Sequence, residues 1–251
     1  MRLSVTKAIL FLSVVLCTQQ LMAQDSTSAS KQIWPELDFY YRLNERFRLY
    51  GMVSGTRSNS EYTDGTTGIY VDYFAHPGLI GKKFMDLHDT TMKYYWWFRI
   101  GYSYSNAPPG DKKKVVNIFE TETNNNFNLP MDIRLTSRNR LDWRWVNGDF
   151  QPIYRPRLKF IRNFKTDYLT FDVYTWTEYF FYLNDNSQDR LRLTIGSDIK
   201  VSRNIDFEVY YLYQFQNQPG VEPLHAIGLQ LDFYFKSKRY KQQLEAAEKT
   251  P

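Results

Sequence analysis

Cysteine is almost absent from this chain. The single one among 251 residues is Cys17, inside an N-terminal stretch that reads as an export signal, so disulfides and thiolate chemistry are excluded from the segment that follows. Long hydrophobic runs are missing too. The longest apolar core, Ala8–Cys17, is too short for a membrane helix of about 20 residues, which excludes a helical membrane protein. Histidine occurs at three positions only, His76, His88 and His225. His88 stands near Asp86 and Asp89, yet no partner cluster elsewhere completes a ligand set, so the sequence implies no metal and no cofactor.

A large charge of one sign is lacking as well. The formal net charge of +5 falls to +3 when Arg2 and Lys7 leave with the signal. The basic residues that remain alternate with apolar ones on faces that point into an enclosed space, and no exposed stripe is left for a nucleic acid.

What the chain has instead is aromatics, at 18%, with charged residues at 24%; this composition suits one large β domain and not a disordered chain. The N-terminus has Arg2 and Lys7, the apolar core, and then Ala23 before Gln24, the layout of a secretory signal cleaved after Ala23. Lipidation at Cys17 is the rival reading, and Leu16 stands where a small residue is wanted. The expected plan is a signal over 1–23, a short flexible leader over 24–34, a barrel over 35–235 and a charged periplasmic tail over 236–251.

The barrel expectation rests on period-two alternation, because successive side chains of a strand point to opposite faces. In Tyr168–Tyr182, Leu169, Phe171, Val173, Tyr179 and Phe181 fall on one face, and Thr170, Asp172, Tyr174, Trp176 and Glu178 on the other. The same pattern recurs in Pro35–Leu43, Phe47–Thr56, Ile69–His76, Lys93–Ser105, Val115–Asn126, Asp132–Trp145, Tyr154–Phe164, the segment around Leu191–Val201, Ile205–Gln216 and His225–Phe235. These segments are close to the ~9–11 residues that cross a bilayer at a tilt. Their sum is eleven, and bacterial single-chain barrels have even numbers. The expectation is therefore a single antiparallel transmembrane β-barrel of ten to twelve strands, twelve if one hides in Pro77–Met92 or near the N-terminus. Arg57–Gly68, Asn106–Lys114 and Val146–Ile153 read as loops by composition, and Asn44-Glu45 as a tight turn.

These features resemble Gram-negative outer-membrane barrels and, among them, the DUF2490 family of Bacteroidetes-type bacteria. The resemblance runs from Trp34 to Phe235 and rests on the strand–turn–strand unit Leu37–Val53, on Arg-bearing middle strands and on a final strand of alternating aromatics. It implies an outer-membrane address, outer-membrane lipids around the wall, and the barrel-assembly machinery as a partner that reads Gly228, Leu231, Phe233 and Phe235. Ala226 departs from the polar residue that such a signal starts with. The family carries no established activity or catalytic residues.

Strand parity puts Arg134, Arg138, Arg140, Arg144, Arg155, Arg157 and Lys159 on one inner face, flanked by Glu120 and Glu122 on one side and Asp172 and Glu178 on the other. Two readings stay open. Opposite charges on neighbouring strands form a network that fills the barrel and pins its register, or the basic residues form a constriction that favours anionic solutes. A lipid-modifying barrel enzyme is the alternative in another class, and it needs a His–Ser pair on one strand face, which the sequence does not display. A soluble secreted β-sandwich is the alternative fold.

Overall fold

Side chains that alternate over eleven segments make a wall with two unlike faces, and in hydrocarbon only a closed wall leaves no row of unpaired backbone groups. The computed structural model describes residues 30–58, 61–77, 94–106, 114–185, 189–216 and 222–242. They form β1 (Ser30–Arg42), β2 (Phe47–Ser58), β3 (Glu61–Pro77), β4 (Tyr94–Asn106), β5 (Val115–Leu129), β6 (Ile133–Val146), β7 (Asp149–Phe150), β8 (Ile153–Lys165), β9 (Thr170–Tyr182), β10 (Arg190–Lys200), β11 (Ile205–Gln216) and β12 (Leu224–Lys236). Neighbours in the chain pair antiparallel, β6 pairs β8 past the short β7, and β1 lies against β12, so the sheet returns to itself.

The expected single closed barrel of ten to twelve strands is present, and its closure refines the count and the strand directions. Eleven strands make the wall, and the twelfth, β7, is a two-residue ribbon on β6. An up-and-down meander of odd number ends with its last strand running the same way as its first. Accordingly β1 and β12 pair parallel, from Ser30 opposite Leu224 to Arg42 opposite Lys236, and the barrel is mixed instead of antiparallel throughout. The count of eleven was legible in the pattern; the parity rule pushed it to twelve. A two-sheet sandwich is replaced by this closed wall.

One rim carries the tight turns 43–46, 130–132, 166–169 and 201–204, and the other the wider connections 147–152 and 183–189. Local chemistry makes several of them. Asn44 Oδ1 accepts from the N–H groups of Arg46 and Phe47 at 2.8 and 2.9 Å, a side-chain mimic of a backbone turn. Met131 and Asp132 take φ of 66° and 57°. Asn147 and Gly148, at φ 51° and 98°, form the two-residue hairpin that joins β6 to β7, inside a stretch read from composition as a loop.

Arg57–Gly68 is likewise no loop. β2 runs to Ser58, β3 starts at Glu61, and Gly65 lies in register with Gly55. Polar and glycine content marks exposure to water, and a strand in water has the same composition as a loop. β1 starts at Ser30, within the stretch expected as leader. The expected signal, most of the leader, His88 with Asp86 and Asp89, and all but the first residue of Pro77–Met92 lie outside the described residues.

Apolar side chains face out: Leu37, Phe39, Ile69, Ile100, Leu193 and Ile195 are exposed. Polar and charged ones face in, among them Asp38, Asp72, Glu120, Glu122, Arg134, Asp142 and Glu178, all buried. An apolar cluster of Ile161, Tyr174, Trp176, Leu212, Leu224 and Ala226 fills part of the interior. Beyond β12, the Ser237 hydroxyl donates to Leu43 O at 2.8 Å and accepts from the Tyr240 N–H at 3.1 Å. It thereby ties a short helical turn, residues 238–242, to the turn rim.

Candidate functional site

Register decides which charges meet. β6 and β8 place Arg138 opposite Arg157 and Arg140 opposite Arg155, an arrangement that repels unless acids stand on both sides. β5 supplies them on one flank, with Glu120 opposite Asp142 and Glu122 opposite Arg140. β9 supplies Glu178, opposite Arg157, on the other.

The outcome is a continuous ion-paired belt. Arg140 reaches Glu120 at 2.7 Å and Asp142 at 2.5 Å; Arg155 reaches Asp142 and Glu178, both at 3.1 Å. Arg157 reaches Glu178 at 3.1 Å, and Arg138 bridges Glu178 and Glu122. Glu178, 0% exposed, thus receives three arginines. Aromatic rings carry the guanidinium planes: Arg157 lies 4.1 Å from the Trp176 centroid and Arg155 4.2 Å from that of Phe180.

Of the residues singled out from the sequence, Arg138, Arg140, Arg155, Arg157, Glu120, Glu122 and Glu178 come together in this belt. Lys159 sits over the Tyr174 ring at 3.8 Å. Asp172 does not join; it accepts from Asn163 Nδ2 at 2.7 Å. Arg134 is buried nearer the turn rim, opposite Asn128 and Ile161. Arg144 lies near the loop rim in a cavity of about 370 Å³ that also contains Lys114 and Arg190. Partial burial, then the nearby Arg144 and Arg190, hold the Lys114 ammonium below the ordinary lysine value.

Three elements escaped the sequence reading. Asp142 is a belt member on β6 itself, one alternation from Arg140. Asp72, fully buried on β3, is clasped by Arg48 and Arg99, each at 2.7 Å. Across the barrel from the belt, β1, β10, β11 and β12 contribute Glu36, Asp38, Asp198, Glu208 and Asp232 to one wall of a cavity of about 350 Å³, and Arg157 and Lys159 line the opposite side. Asp38 Oδ2 accepts from the hydroxyls of Tyr40 and Tyr50 at 3.0 Å and from Gln230 at 3.1 Å, while Glu208 accepts from the Tyr174 hydroxyl.

This wall and interior can be set beside known proteins. The sequence model of the family described as "Protein of unknown function (DUF2490)" matches residues 31–224. The chain belongs to that family. No curated protein sequence matches it. Among solved structures, the β domain of the Bordetella autotransporter BrkA is similar at 14% identity, over 74% of this chain and 78% of that one, with a TM-score of 0.39. So loose a superposition transfers neither strand count nor function.

In this DUF2490 barrel the residues proposed as an assembly signal have clear surroundings. Leu231, Phe233 and Phe235 line the seam, in register with Leu37, Phe39 and Tyr41, and Phe39 stacks on Phe233 at 5.3 Å. Gly228 points inward beneath the Tyr210 ring, which occupies the place of a Cβ. The arrangement repeats around the wall, as Tyr174, Gly196, Tyr210 and Gly228 lie in register across β9 to β12. Each glycine makes room for its neighbour's ring. His225, on the same strand, contacts Tyr211 at 2.5 Å through Nδ1 and packs edge-on to Tyr213. Among the described residues this tyrosine is its hydrogen-bond partner. No group of three or more His, Cys, Asp or Glu there could hold a metal.

Proposed function

We propose that this DUF2490 protein is an outer-membrane barrel whose charged interior forms a narrow pathway for small solutes, with the arginine belt on its anion-contacting side. The observation that carries the reading is the closed wall itself: apolar side chains outside and cavities of about 350 and 370 Å³ lined by charged groups inside. A closed wall with an apolar exterior satisfies its backbone in lipid. Arginine rings are a means of drawing anionic groups into a pore.

The second reading, a sealed and purely structural interior, is favoured by Glu178 and its three arginines, which satisfy one another within the wall. Planar-bilayer conductance with reversal potentials separates the two. Steady conductance whose ion preference moves toward cations in Arg138→Glu and Arg140→Glu supports a pathway along the belt. Absence of conductance, from protein whose gel mobility shifts on heating as a folded barrel's does, overturns it.

A further inference from the structure

The charges that line the 350 Å³ cavity differ in how they are met. On the basic side, Arg138, Arg140, Arg155 and Arg157 pair with the carboxylates of their own half, and Arg99 with Asp72. Two cations lining the cavity, Lys159 and Arg192, make no ion pair at contact distance among the described residues, although Glu178 stands opposite Arg192 in register. Lys159 rests on the Tyr174 ring, and Arg192 donates Nε to Gln214 at 2.7 Å while stacking over Trp34 and Phe180.

Glu36, Asp38, Asp198 and Glu208 line the same cavity, Asp198 on the strand that also carries Arg192. Among the described residues none of these four pairs with a lysine or arginine. Asp38 is 2% exposed, and its Oδ1, like that of Asp198, is buried with no hydrogen-bond partner. A buried carboxylate without a counter-charge is costly. The acids lie on β1, β10 and β11, whereas Lys159 lies on β8 and Arg192 at the loop-rim end of β10, and this separation sets a field within the cavity. An ion of one sign gains from one group of charges and is opposed by the other, whereas a molecule that carries both charges gains from both. Pockets of about 300 Å³ and upward suit small organic ligands.

We propose that this cavity binds a small zwitterion, its ammonium toward Glu36, Asp38 and Asp198 and its carboxylate toward Lys159 and Arg192. The assignment names the solute class for the pathway above and rests on that reading for the solute's route of entry.

Three compounds with the same hydrocarbon chain test it: γ-aminobutyrate, butyrate and n-butylamine. Each is titrated into the folded barrel in detergent micelles and followed by saturation-transfer NMR. The zwitterion is expected to bind ~10-fold or more tightly than either singly charged analogue, the scale of one added charge-assisted contact. Glu36→Gln with Asp198→Asn, and separately Lys159→Met, are each expected to erase that preference while the heat-dependent gel shift is retained. Equal binding of the three compounds, or a preference that survives both variants, overturns the proposal. Bilayer conductance reads the pathway separately: selective binding without conductance removes the pathway and keeps the site.

Discussion

The half of the barrel built from β4 to β9 and the half built from β10 to β12 and β1 follow the same alternation, yet they solve the problem of enclosed charge differently. In the first half every arginine of the belt has its acid on a neighbouring strand or its own, and Glu178 alone holds three. In the second, Asp38 and Glu208 are met by tyrosine hydroxyls and Gln230. A neutralised half is bound to one register, because slipping a strand by one residue would break every pair at once. The other half holds the carboxylates on which the proposed zwitterion site rests.

Removing one charge from each half breaks this comparison most sharply. Glu178→Gln strands three guanidinium groups in a buried site and is expected to destabilise by about 3–5 kcal/mol, as loss of one member of a buried pair does. Glu208→Gln exchanges a carboxylate that has no arginine for an isosteric amide, with an expected effect within ~1 kcal/mol. Urea titration of the heat-shifted gel band measures both, and equal losses would remove the distinction between the halves.

Glycines give the next largest effect. A Cβ on Gly101 would stand 2.6 Å from Ile69 O and inside the Tyr70 ring, so Gly101→Ala is expected to cost about 1–3 kcal/mol through overpacking. At Gly51 the nearest atom would be 3.8 Å away, and Gly51→Ala is expected to stay within ~0.5 kcal/mol. Gly228→Ala tests the seam: restored folding when Tyr210→Leu is added identifies ring accommodation as the role of that glycine, whereas a persistent insertion defect in cells would make it part of an assembly signal.

The smallest effect belongs to the loop rim. Lys114 lies at the open rim of its cavity, and Asp64 opposes its like-charged neighbours only partly. Lys114→Gln is accordingly expected to change stability by no more than ~0.5 kcal/mol, and its consequence should appear in the salt dependence of conductance instead. A large stability loss there would extend the neutralised network to the rim.

Much of the belt was legible before any geometry, since parity alone puts Arg138, Arg140, Arg155, Arg157, Glu120, Glu122 and Glu178 on one side of neighbouring strands. Asp142 was passed over because it reads as one acid in an arginine-rich strand, although its parity with Arg140 was visible. The carboxylate wall was harder to see. Glu36 and Asp38 lie near the start of the barrel and Asp198, Glu208 and Asp232 near its end, and only the β1–β12 closure brings them side by side. Loop composition misled at Arg57–Gly68, where a strand in water has the residues of a turn.

By itself the sequence determined the period, and with it which side chains share a face and where Asn44 turns the chain, because these depend on neighbours within a few residues. Tertiary structure decided the parallel seam, the partner of each arginine, and the pairing of each glycine with a tyrosine ring. Those depend on register between strands and on how an odd meander closes, which no local stretch of chain contains.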